Sequence, residues 1–269
     1  MDELRSSALQ ALRARSVESR LRLTQVLAAR PLACDVDVIL AAPGDVPGRP
    51  PRPILVAPGA VAPRPAATRE GRAALLHALA HIEFNAIGLA LDHLWRFGGL
   101  PQAYYRDWAQ VAVEEAHHFT LLRERLNEAG FDYGDFPAHD GLWEMARKTA
   151  GDVLARMALV PRTLEARALD ASPAVRAKFA AAGDLASARV IDVILRDEIG
   201  HVAIGNRWFR YLCAQRGVEA TDFYRQARRQ FDAPRLRGPF NIAARRQAGF
   251  TAQELDDLQG QGRVEGSGG

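Results

Sequence analysis

The chain has 269 residues, 48% of them hydrophobic and 25% charged, with a net charge of +3 and an isoelectric point near 9.1. That length and composition allow a large core in one or two domains and exclude a chain disordered throughout. Two cysteines, Cys34 and Cys213, exclude a disulfide framework, and neither lies in a C-x-x-C or Cys/His spacing for zinc.

Residues 1–30 are dense in Arg and carry Leu4, Leu12, Leu21, Leu23 and Leu27 among many charges, which predicts one amphipathic helix. This start lacks the apolar run of a secretory signal. No stretch approaches the roughly 20 apolar residues of a membrane span, so a cytoplasmic protein with no membrane association is expected. Nine of the fifteen prolines fall between Pro31 and Pro65. Proline fixes φ and removes a donor, so this segment reads as an extended strap, and 1–66 as a helix and strap packing on a helical bundle.

Thr68 is placed to N-cap a helix running to about Phe97 and stopped by Gly98-Gly99-Leu100-Pro101. Its apolar line is Leu76, Leu79, Ala80, Ala86, Ile87, Ala90 and Leu94, with Glu83 in the middle. His77, His81, Asn85 and Asp92 form a separate stripe without a ligand carboxylate set, and a structural or surface role is expected of them. A second helix covers about Gln102 to Glu128. Its buried line Tyr104, Trp108, Val111, Leu122, Leu126 passes through Glu115 and His118, whereas Glu114 and His117 fall on the polar line, so the periodicity selects Glu115/His118.

Residues 131–151, with Gly134, Pro137, Asp140-Gly141 and Gly151, read as a long crossover containing a short helical piece around Trp143 and Met145. The third helix is expected from Asp152 to just before Pro173, kinked at Pro161, with Glu165 interrupting its apolar line. The fourth spans about Leu185 to Arg216, stops at Gly217, and its line Ile191, Ile194, Gly205, Trp208, Leu212 passes through Glu198 and His201. These helices make up an expected bundle over 67–217. Short helices around 222–230 and 241–247 and a capped turn at Thr251-Ala252-Gln253-Glu254 complete 218–258, and the Gly-rich 259–269 is expected to be disordered.

From Arg207 to Arg246 there are ten Arg against three acids, Glu219, Asp222 and Asp232, interleaved with Phe and Tyr. RNA binding is one reading, and a solvated Arg-rich face is the plainer one, because the whole chain uses Arg for positive charge, with Lys only at Lys148 and Lys178.

The four helices together give the order Glu, Glu-x-x-His, Glu, Glu-x-x-His, with Glu83 and Glu115 32 positions apart and Glu165 and Glu198 33. On a helix, residues three apart share a face, so each Glu-x-x-His can grip one ion. Four acids on core-facing lines would be intolerable without compensation, since each buried ion costs several kcal/mol, and two divalent cations would compensate them.

This pattern resembles the ferritin-like di-iron or di-manganese carboxylate proteins over about residues 70–216. The wider chain resembles almost end to end a bacterial family known as domain of unknown function 455. The stretches that carry this run from Ala74-Leu75-Leu76-His77-Ala78-Leu79-Ala80-His81-Ile82-Glu83, through Met157-Ala158-Leu159-Val160-Pro161-Arg162-Thr163-Leu164-Glu165-Ala166-Arg167, to Arg237-Gly238-Pro239-Phe240-Asn241. The resemblance implies an all-α, ferritin-like four-helix bundle with an N-terminal helix, a Pro-rich strap and C-terminal short helices. It implies two Fe ions, or Mn or a mixed Mn/Fe pair, with Glu115 and Glu198 bridging, Glu83 and Glu165 terminal, and His118 and His201 giving one imidazole each. In multicomponent monooxygenases of the wider superfamily the acid before each ligand Glu orients a metal-bound His. By position these are Glu114, where the pattern has Asp, and Asp197.

Three functions are expected to compete: an O2-activating oxidoreductase acting on an organic substrate, a tRNA-modifying hydroxylase, and a ferroxidase or metal-handling protein. The first is favoured, because the strap and tail add surfaces a storage shell would not need. An oligomer is possible for any of them. No flavin or Fe–S pattern is present, so an oxygenase would draw on an external electron donor.

Overall fold

A computed structural model describes residues 3–29, 33–38, 40–41, 44–60 and 64–263; among them the chain is all-helical, with no strand. Pro31, Pro43 and Pro63 of the expected strap and 264–269 of the expected disordered tail lie outside the described residues. The chain divides into two compact units, Met1–Trp143 with Ala182–Val190, and Glu144–Ala181 with Ile191–Gly269. The 67–217 span contributes to both.

The first unit starts with two helices where one was expected, α1 (Leu4–Leu12) and α2 (Val17–Ala29). The reason is local. Ser16 Oγ accepts from Ser19 N–H at 3.2 Å, an N-cap that restarts the helix. Two buried arginines then fasten the strap. Arg5 donates to Leu94 O (3.3 Å) and Trp95 O (3.0 Å) and also to Val38 O (2.6 Å), while Arg20 donates to Leu12 O at 3.0 Å and to Gly48 O. Farther on, Val56 N–H donates to Ala138 O (2.8 Å) and Ala138 N–H to Ile54 O (3.1 Å), a single bridge rather than a strand.

The centre of this unit is α3 (Arg69–Arg96) packed along α4 (Gln102–Glu128), with α1 against α3 and α2 against α4. Thr68 Oγ1 accepts from Gly71 N–H at 3.0 Å, the cap read from the sequence. Helix α3 is buried on both sides, by Leu76, Ile87 and Leu94 on one stripe and by His77, His81 and Asp92 on the other. This corrects the reading that no segment is apolar enough for a membrane: an 18-residue window of α3 reaches a mean hydropathy of 1.4, long and apolar enough to cross one. Of that window, 67% is buried inside the protein, as in a core helix.

The polar stripe on α3 has a packing partner. Gly134 N–H donates to His77 Nε2 at 3.0 Å. His81 Nε2 donates to His139 O at 3.1 Å, which leaves Nδ1 to accept from Tyr133 OH at 2.8 Å. Burial pushes both imidazoles down to about 4, so both are neutral near pH 7 and fix the loop 131–139 onto α3. The expected short helical piece in the 131–151 segment is α5 (Gly141–Lys148).

The second unit begins with α6 (Val153–Leu159), capped by Asp152 Oδ1, which accepts from Leu154 N–H at 2.9 Å. A six-residue π-helical stretch, Val160–Glu165, comes next and leads into α7 (Ala166–Ala181). The disturbance expected at Pro161 thus takes the form of a wider turn: Pro161 cannot donate to the ladder, and within this turn Thr163 Oγ1 donates to Ala158 O at 2.7 Å. The expected stop before Pro173 is wrong, because α7 runs through it. Pro173 cannot donate to Leu169 O; Asn241 Nδ2 does so instead, at 3.2 Å.

Helix α8 (Leu185–Arg216) has the bounds read from the sequence. Beyond it lie α9 (Ala220–Gln230), α10 (Ile242–Gln247) and α11 (Ala252–Arg263). The last is a full helix rather than one turn. It starts from a reciprocal capping box, Glu254 N–H to Thr251 Oγ1 (3.2 Å) and Thr251 N–H to Glu254 Oε2 (2.8 Å), and its described length reaches into the tail expected to be disordered. Ala166, Leu169, Val202, Ala248, Phe250 and Leu255 form the core that binds these helices together.

Candidate metal centre

The helical phase decides which of two overlapping Glu-x-x-His pairs faces inward. On α4, Glu115 is 1% exposed and His118 0%, whereas His117 is exposed and Glu114 half-buried. Glu83 on α3 is buried as well, between Ala80 and Ile87. These three residues of the first unit converge: His118 Nδ1 lies 3.4 Å from Glu83 Oε2 and 3.4 Å from Glu115 Oε2. One donor atom from each falls within 4.8 Å of the others.

The spacing bears on what the set can hold. At 3.4 Å the contacts exceed a good N–H···O hydrogen bond. Donors about 2.1 Å from a common ion stand about 3.0–3.4 Å apart for bond angles between right-angled and tetrahedral. Glu83 Oε2 has no hydrogen-bond partner among the described residues, which would cost a few kcal/mol if the oxygen stayed unsatisfied. Two carboxylates and an imidazole form a mixed O/N donor set of the kind that binds divalent cations. The donors fit a divalent ion in chemistry and in separation.

Electrostatics point the same way. Burial opposes charge on His118, yet the carboxylates of Glu115 and Glu83 beside it outweigh that and push the imidazole up to about 11. Glu83 lies well above the usual carboxylate range, first through burial and then through the like charge of Glu115. The pocket therefore draws in positive charge, as protons or as a cation. Phe84, Phe119 and Tyr133 pack on one another, their ring centroids 5.0–5.4 Å apart.

In the second unit, α8 carries Glu198 and His201, both buried, with His201 Nδ1 3.7 Å from Glu198 Oε1. Glu165 is half-buried at the end of the π-helical stretch. The acids expected to orient imidazoles have other hydrogen bonds: Glu114 accepts from Gln110 Nε2 at 2.9 Å, and Asp197 accepts from Arg196 Nε at 2.8 Å and Nη2 at 3.1 Å. The structure thus brings together Glu83, Glu115 and His118 in one unit and Glu198 with His201 in the other. What the sequence reading missed is the π-helical form of the segment that carries Glu165. Pro161 was its signal.

Residues 13–256 match the family described as protein of unknown function, DUF455. The chain belongs to this family. The DUF455 match takes in every residue of both Glu/His sets and Glu165. A protein of Haemophilus influenzae, itself named uncharacterized protein, is 51% identical over 214 residues, covering 77% of this chain and 74% of that one. No solved structure matches the chain.

Proposed function

We propose that this DUF455 member is a ferritin-like protein whose helices α3, α4, α6–α7 and α8 form a four-helix bundle around a dinuclear iron or manganese centre, and that it is an O2-activating oxidoreductase. The observation that carries this reading is the buried set Glu83, Glu115, His118, two acids and an imidazole gathered at ligand spacing. The repeat of Glu-x-x-His at Glu198 and His201 supports a second ion.

In this reading Glu83, Glu165, Glu115 and Glu198 would hold the ions through carboxylate oxygens, and His118 and His201 would each give one nitrogen. The ions would supply one-electron chemistry with dioxygen, which no side chain of this protein can provide. The chain holds its ligands on helices rather than loops, so their positions are fixed before metal arrives. His118 would give up its proton to become a ligand.

The Arg-rich tail lends little to the RNA alternative. Arg210 pairs with Glu254 (3.1 Å), Arg216 with Asp152 (2.8 Å), Arg225 with Asp257 (2.7 Å) and Arg245 with Asp170 (2.6 Å), so these guanidinium groups serve the second unit's own structure.

The test is oxygen uptake by protein loaded anaerobically with Fe(II) and supplied with an external reductant. Reductant-dependent uptake that is lost in Glu115→Gln supports the oxidoreductase. Uptake that needs only Fe(II) and leaves ferric mineral would assign metal handling instead, and no uptake by fully loaded protein would refute O2 chemistry.

A further inference from the structure

A second site lies wholly within the second unit and does not rest on the metal reading. On α9, Thr221, Tyr224, Arg225, Arg228 and Arg229 share helical spacing and line a cavity of about 430 Å3. From α11, Glu254, Asp257 and Leu258 line it at the same spacing, and Arg162, Arg245 and Phe250 complete its wall. The volume is in the range of small-molecule pockets, about 300–1,000 Å3.

Two of its arginines are fixed parts of the wall. Arg162 is buried with its guanidinium 4.7 Å from the centre of the Phe250 ring, 4.8 Å from Phe209 and 5.1 Å from Tyr224. It donates to Glu254 Oε1 at 2.5 Å and to Asn206 Oδ1. Arg245 is buried too and donates twice to Asp170, at 2.9 and 2.6 Å. Both guanidinium groups are held by carboxylates inside the protein and make a fixed surface of cation and ring.

On the α9 side Arg225 is paired with Asp257, Arg228 is half-buried with its guanidinium 5.9 Å from the centre of the Tyr224 ring, and Arg229 is exposed and pairs with no carboxylate among the described residues. Five arginines line the cavity against two acids, an excess of positive charge that suits a dianion better than a monoanion. Phe250, Leu236 and Leu258 offer apolar surface beside that charge. The cavity is partly open, and its volume of about 430 Å3 suits a compact ligand, whereas a nucleic-acid strand needs an extended charged track.

We propose that this cavity binds a small phosphorylated molecule, its phosphate held by Arg228 and Arg229 and its apolar or aromatic body resting against Tyr224, Phe250 and Leu258. Arginine suits this task because its planar fork gives two parallel N–H bonds to phosphate oxygens.

Titration calorimetry on the full-length protein tests it, with phenyl phosphate as the probe and inorganic phosphate, phenol and benzoate for comparison. Saturable binding of one phenyl phosphate per chain is expected, tighter than that of any of the other three. Arg229→Ala and Arg228→Ala should each weaken it by about tenfold or more, the loss of one charged hydrogen-bond pair. Arg229→Ala should leave the thermal midpoint unchanged, which separates lost binding from lost folding. No saturable heat at millimolar phenyl phosphate would overturn the proposal, as would equal binding in both variants. Benzoate binding as tightly as phenyl phosphate would replace phosphate by carboxylate and overturn it in that form. Salt-sensitive binding of a short single-stranded RNA that phenyl phosphate cannot displace would assign the site to nucleic acid instead.

Discussion

Gly205 on α8 lies against Pro161 so closely that an added Cβ would stand 2.6 Å from Pro161 Cβ and 3.0 Å from its Cγ. Carbon atoms prefer about 3.5–4.0 Å, so in Gly205→Ala the helix and the π-helical stretch must part by about 1 Å. The Pro161 ring cannot rotate out of the way. Against an overpacking cost of about 1–3 kcal/mol stands the gain of about 1 kcal/mol that Ala brings to a helix interior over Gly. With a rigid partner the upper half of that cost applies, and the net loss is about 1–2 kcal/mol. Gly200 on the same helix supplies the control, because it is exposed and its added Cβ meets nothing within 4 Å. There propensity acts alone, and Gly200→Ala should stabilise by about 0.5–1 kcal/mol. Urea unfolding monitored by far-UV circular dichroism should move the two midpoints in opposite directions at unchanged slope. Midpoints that shift the same way would refute the claim that close contact with Pro161 requires glycine at 205.

Other substitutions probe other joints. Asn241→Ala removes both the cap on α10, where Oδ1 accepts from Ala244 N–H at 3.2 Å, and the donor to Leu169 O, and should cost about 2 kcal/mol in urea unfolding. Asn241→Asp keeps the cap and loses the donor, so it should cost about half as much. For His77, burial depresses the folded pKa to about 4 from an ordinary 6.5. The unfolded chain then binds the extra proton first, so stability is full above pH 6.5 and falls as pH drops toward 4, by up to about 3 kcal/mol. His77→Gln, which can still accept from Gly134 N–H, should flatten that slope when wild type and variant are unfolded across the window. An unchanged slope would mean that His77 is already protonated in the folded chain.

The long helices were legible because their ends are written locally. Thr68 caps α3, Gly98-Gly99-Leu100-Pro101 stops it, and Gly217 stops α8. The inward choice of Glu115 and His118 over Glu114 and His117 came from period alone, since a phase error of one residue turns a helical side chain by about 100°. What failed depended on partners far along the chain. Pro173 reads as a helix stop until Asn241 is seen to take over its missing bond, and Pro161 announces a disturbance without saying that the turn widens. The Arg-rich tail looked like one solvated face because composition cannot tell Arg245, buried against Asp170, from Arg229, exposed beside the cavity. The site was legible as a list of ligands. The convergence of Glu83, Glu115 and His118 needed coordinates.

The central claim is that the buried acids exist to hold two metal ions, and it is tested most directly by metal analysis of protein purified with iron and manganese available, beside a Glu115→Ala/Glu198→Ala variant. About two ions of iron or manganese per chain are expected in the wild type, with loss in the variant while its helical circular dichroism persists. Folded wild-type protein that carries no metal, even after anaerobic loading, would contradict the account.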